Sequence, residues 1–243
     1  MIADMQTMLW KEWKEILLQG GRRGKWNLLL FVAAFGIFIP WQFGRQWVTS
    51  PQLLIYWAWI PLFLVISVIA DAFAGERERH TLETLLASRL SDRAILFGKV
   101  CAAVSYGWGM AMGSMLVGLV TVNILYGHGE LLLYSPRVGL SIVVLSLLAS
   151  ILAAGAGVLI SLRASTVRQA QQTLSFAIMA LMFVPILGAQ ALPLEIRNHL
   201  VIALEHAGAM EITLLATAIF IVLDTGLLMI AMARFQRARL ILD

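Results

Sequence analysis

One cysteine, Cys101, occurs among 243 residues, so an internal disulfide framework is excluded, and a lone thiol inside an apolar run reads as a packing residue rather than a redox centre. Charge is scarce too: Asp, Glu, Lys and Arg make up 13% of the chain, against roughly a quarter in an ordinary soluble domain. There is no G-x-x-x-x-G-K-[ST] phosphate loop, because Gly98 and Lys99 are followed by Val100 and position 93 is Arg93. Nor is there enough polar sequence to house a nucleotide-binding domain. G-x-S-x-G, H-E-x-x-H and a pair of midspan aspartates are also missing, which argues against hydrolysis within a membrane. An enzyme is therefore the weakest class.

Apolar residues are what the chain has in place of these. They make up 60% of it, with a mean hydropathy of +0.84, more than one globular core can hide, so lipid is the main solvent. The uncharged runs predict an all-α membrane protein with six transmembrane helices, at Trp26 to Phe43, Leu53 to Phe73, Val100 to Tyr126, Val138 to Ser161, Thr173 to Leu192 and Ile212 to Ala233. The first run follows twenty-five residues, eight of them charged, without a small-residue cleavage site, so it does not read as a removable signal, and Met1 is expected to be retained.

The net charge of +4 does not point to nucleic acid, since the basic residues flank the apolar runs. In the six-span topology fifteen lysines and arginines fall on one side and only Arg45, Arg137 and Arg197 on the other. Both termini are accordingly expected in the cytoplasm. Trp26, Trp41, Trp47 and Trp57 fall near span ends, at headgroup level.

Small residues recur at four-residue spacing, as Ser105, Gly109 and Gly113 in the third span and Ala149, Ala153, Gly157 and Ser161 in the fourth. Such stripes let helix backbones approach closely, within one bundle or between two copies. Pro185 lies inside the fifth span, where a kink is expected. Within residues 1–25, Met5, Met8, Leu9, Trp13, Ile16 and Leu17 recur at helical spacing opposite Asp4, Gln6, Lys11, Glu12, Glu15 and Gln19, which predicts an amphipathic helix on the cytoplasmic membrane surface. Residues 193–209 read as a short outer interfacial or re-entrant helix. The chain is thus a single transmembrane domain over 1–243.

The longest cytoplasmic loop, 74–98, reads AGERERHTLETLLASRLSDRAILFG. Leu82, Leu85 and Leu86 form one apolar stripe, with Glu76, Glu78 and Glu83 on the remaining faces, which predicts a short amphipathic helix followed by a second amphipathic turn from Asp92 to Phe97. Its stripe must lie on the undersides of the spans and the headgroups, or in a groove of another protein; three carboxylates so near anionic lipid favour the second.

This loop resembles that of the permease subunits of ABC-2 type ATP-binding-cassette transporters, whose pattern is like E-x-E-x-G-T-x-E-x-L-L-x-x-P followed by G-K. Glu76, Glu78, Thr81, Glu83, Leu85, Leu86, Gly98 and Lys99 occupy matching places, while His80 stands for the usual glycine and Arg89 for the usual proline. The resemblance implies that the loop is a cytoplasmic coupling helix, with Glu76, Glu78, Thr81, Leu82, Glu83, Leu85 and Leu86 docked on a separate ATPase chain. ATP and magnesium would be bound on that partner, and no cofactor by this chain. It further implies a homodimer, or a heterodimer with a related permease, exporting a substrate across the plasma membrane.

Asp224, near the middle of the sixth span, is the residue on which an ion-coupled carrier would rest, although a protonated or hydrogen-bonded packing aspartate beside Thr225 is the favoured account of it. Asp71 ends the second span. His128, His199 and His206, with Glu130, Glu195 and Glu205 near them, fit no recognised metal-ligand spacing. A membrane scaffold without transport of its own is the remaining alternative.

Overall fold

The computed structural model describes residues 2–19, 21–50, 54–81, 85, 87–199 and 209–235, and among these it is helical with no strand. In chain order the helices are α1 (Ile2–Gln19), α2 (Gly21–Ala33), α3 (Ile39–Phe43), α4 (Gln46–Thr49), α5 (Leu54–Ala70), α6 (Glu76–Glu78), α7 (Asp92–Tyr126), α8 (Pro136–Ser161), α9 (Val167–Ala191) and α10 (Ala209–Arg234). A π turn, Ala34–Phe38, joins α2 to α3, and a second, Asp71–Gly75, joins α5 to α6.

Both π turns have a backbone cause and a side-chain remedy. Pro40 has no N–H to give the carbonyl of Gly36, four residues back, and the Thr121 hydroxyl of α7 donates to it instead at 2.8 Å. In the second turn the N–H of Glu76 bonds Phe73 O rather than Ala72 O. The freed carbonyl accepts a hydrogen bond from the Lys99 ammonium at 2.7 Å.

Among the described residues five helices are long and apolar enough to cross a bilayer: Trp59–Glu78, Asp92–Tyr126, Pro136–Ser161, Val167–Ala191 and Met210–Arg234. The chain is thus a multi-pass membrane protein. Over the expected first span, Trp26 to Phe43, the apolar helical stretch is the shorter Leu28–Phe43, since the polar Asn27 lies within the first two residues of the expected run. The expected third span gains two turns at its start, since Ser91 caps the helix by accepting from Ala94 N and nothing in 92–99 breaks it. At 35 residues α7 is about 52 Å long, well beyond a hydrocarbon core of about 30 Å. α9 runs through Pro185 as one continuous helix.

α5, α7, α9 and α10 pack around α8. Ala149, Ala153 and Gly157 are buried there, and a side chain at Gly157 would overlap Ile69 of α5, which is how small residues let these backbones close. Gly109 and Gly113 do not share that role: nothing of the described chain lies within 4 Å of where their side chains would begin. Ser105 accepts a hydrogen bond from the Trp13 indole at 3.1 Å.

Two buried clusters result. One holds Val65, Ile69, Phe73, Ile95, Leu96, Val100, Ala153, Val158, Leu174 and Phe235; the other holds Trp47, Val48, Trp57, Ile60, Ala111, Val122 and Ile142. Trp47 and Trp57 are thus not headgroup anchors. Their rings meet 5.4 Å apart in the second cluster, whereas Trp26 and Trp41 are exposed.

Candidate functional site

The segment that leaves α5 is held from four sides. Gly75 makes room for Asp71, whose carboxylate pairs with Arg79 at 3.1 Å. One turn later the chain closes in a Schellman arrangement: Thr81 N–H donates to Glu76 O at 2.9 Å and His80 N–H to Arg77 O at 3.0 Å. That closure needs a left-handed residue, and His80 supplies it at φ 56°. The glycine of the family pattern has a geometric reason here, and His80 adopts the same backbone at some strain.

Glu76 points inward from this turn and is 3% exposed. One of its oxygens lies 2.9 Å from both the Lys11 and the Lys99 ammonium groups. Lys99 is buried on α7, pairs also with Glu12 of α1 at 2.8 Å, and stands 5.4 Å from the Phe73 ring centroid. Lys11 reaches Glu15 at 3.3 Å. Five ionised side chains from α1, α6 and α7 therefore form one knot, with Ala72 O as an additional acceptor. Burial alone would lower the pKa of the Lys11 ammonium, but the hydrogen bond and charge of Glu76, with Glu12 and Glu15, hold it above the usual lysine range.

Gly98 allows α1 to reach this knot. A side chain there would sit 2.7 Å from Met8 Cβ, so only glycine admits the helix contact beside Lys99. The G-K pair thus acts as a unit, its glycine making the gap across which its lysine binds two carboxylates.

The next two residues bind the neighbouring turn, between α8 and α9. Arg77 donates to Leu162 O at 2.6 Å and Ala164 O at 3.0 Å, at the carbonyl end of α8. Glu78 accepts from Val167 N at 3.1 Å, at the amide end of α9. Each charge has the sign that its helix end favours.

Of the residues expected to meet a partner, Glu76 and Glu78 are engaged within the chain, and the hydroxyl of Thr81 donates to Glu76 O at 3.2 Å. Leu85 is half-buried and packs against the first cluster with Leu90. Leu82, Glu83 and Leu86 lie outside the described residues, and residues 87–90 are turns. Sequence reasoning missed Lys11, Glu12 and Arg77. Glu12 is assigned above to the polar face of α1, yet it is buried, because Lys99 waits inside. The signal was the lysine of the G-K pair, a cation inside an apolar run that required an anion.

Glu12, Glu15 and Glu76 are the one group among the described residues whose carboxylates could share a metal ion, but Lys11 and Lys99 already neutralise them. Glu130 stands 3.7 Å from Arg45, and His128 is in a left-handed turn. The segment after α9 is helical over 194–199, while His206 and Glu205 lie outside the described residues. Asp224 is 5% exposed, and neither carboxylate oxygen has a hydrogen-bond partner among the described residues.

The family model described as ABC-2 type transporter matches residues 3–185, which include α1, the knot and the Arg77–Glu78 clamp. No curated protein and no solved structure matches the chain. With well over half of its length matched, the chain belongs to the ABC-2 type transporter family, as a membrane permease component.

Proposed function

We propose that this permease couples ATP hydrolysis on a separate ATPase chain to export of a substrate across the plasma membrane, with 79–91 as the docked segment. What supports this reading is the knot of Glu76, Lys99, Glu12 and Lys11, with the Arg77–Glu78 clamp beside it. A push on a free loop would dissipate within it. A push on this one is delivered at once to α1, to α7 and to the turn between α8 and α9.

In this reading Glu76 and Glu78 brace the loop from inside, and contact with the ATPase falls to the loop's outer part, including Glu83. ATP and magnesium belong to the partner. Leu28–Phe43 completes a sixth span, both termini are cytoplasmic, and a second permease copy or a related chain supplies the other half of the pathway. The open face at Gly109 and Gly113 and the largely exposed α9 and α10 leave surface for that contact.

Affinity purification from native membranes in mild detergent tests the reading. The wild type should recover a chain bearing a phosphate loop, and Glu83→Lys should lose it. Asp224 favours a second reading, an ion-coupled carrier, because a buried carboxyl at midspan with no hydrogen-bond partner among the described residues is costly to keep. Recovery of the permease alone, with transport abolished by Asp224→Asn and by an uncoupler, would establish the carrier instead.

A further inference from the structure

α1 has an exposed edge that begins beside Lys11 and Glu15 of the ion knot. Thr7, Trp10, Lys11, Lys14, Glu15 and Leu18 line an open groove along it. Trp10 is 65% exposed and Leu18 76%. The Lys14 ammonium lies 5.3 Å from the Trp10 ring centroid and meets no carboxylate among the described residues, whereas Lys11 is held by Glu12, Glu15 and Glu76. The Trp10 indole N–H likewise has no acceptor among them. One cation, one neutral donor and an apolar surface therefore stand side by side with no carboxylate or carbonyl partner among the described residues.

The depth of α1 says what they face. A core of about 30 Å takes about twenty residues of α7, and counted back from Tyr126 these end near Tyr106. Trp13 of α1 packs against Tyr106 with ring centroids 6.3 Å apart, an aromatic pair of the kind that marks the headgroup level. The groove is on the same helix, and Arg22, Arg23 and Lys25 follow it in the first turns of α2. Basic residues placed just before a span select acidic lipid.

We propose that this face of α1 binds the phosphate headgroup of an anionic phospholipid, with the Lys14 ammonium and the Trp10 indole N–H as donors and Leu18 against the acyl chains. The proposal rests on the placement of α1 at the membrane surface and is independent of the ATPase partnership. A headgroup held there would sit beside Lys11 and Glu15, at the open edge of the ion knot, so lipid composition would set how firmly α1 is seated.

The test uses the full chain in nanodiscs of phosphatidylcholine and phosphatidylglycerol, with native mass spectrometry of the lipids retained on extraction. The wild type should enrich phosphatidylglycerol. Lys14→Glu should lower that retention about fivefold or more, Trp10→Ala should lower it too, and Arg137→Glu, at the other end of the bundle, should not. Equal retention of the two lipids by the wild type, or unchanged retention in Lys14→Glu, overturns the site. A fluorophore on Leu18→Cys in a Cys101→Ser background, with brominated lipid as quencher, separates the two levels of failure. Quenching without lipid preference overturns the headgroup site alone, and absence of quenching overturns the placement of α1 beneath it.

Discussion

Lys99 is the residue with most at stake. Its ammonium is buried among Glu12, Glu76 and Ala72 O, and removing one partner of such a set leaves buried charge without compensation. Lys99→Met should therefore cost about 3–5 kcal/mol, read as a lower midpoint of thermal unfolding in detergent. Adding Glu12→Gln should recover part of that loss, because the two side chains belong to one network and their effects will not add. The opposite sign is expected at His80. Its φ of 56° is open to glycine without strain, so His80→Gly should stabilise the protein by roughly 1 kcal/mol. A fall in the midpoint would mean that the imidazole makes a contact worth more than the backbone strain.

At the scale of elements, the contact between α1 and α7 turns on one missing side chain. Gly98→Ala places a methyl 2.7 Å from Met8 Cβ and should cost about 1–3 kcal/mol by overpacking. Met8→Ala should rescue it by vacating that space, an outcome that a general loss of helix flexibility would not produce. Gly109→Ala is the matched control on the same helix, with nothing within 4 Å, and should leave the stability of the isolated protomer unchanged. Helix identity was legible from apolar run length. Helix ends were less so: the start of α7 hung on Ser91 acting as a cap, and both π turns hung on which carbonyls lost their donors, which no hydropathy pattern records.

For the whole molecule, the Arg77 clamp separates docking from transmission. Arg77→Ala keeps the outer loop intact but releases Leu162 O and Ala164 O, so the variant should still recover the ATPase subunit while transport falls. Simultaneous loss of both would place Arg77 in the docking surface itself.

The amino-acid sequence by itself determined that the chain is helical and lives in lipid, since runs of some twenty apolar residues have no other stable solvent. It also singled out the loop after the second span, because charged residues that punctuate such runs stand out. The tertiary structure alone decided what those charges do. Glu76 and Glu78 seemed poised to meet another protein, and the fold turned Glu76 onto Lys99 and Lys11 and Glu78 onto the first amide of α9. The reason is physical: a buried ammonium at position 99 can be kept only by carboxylates brought to it from other helices, and which ones arrive depends on how helices distant in sequence come to pack.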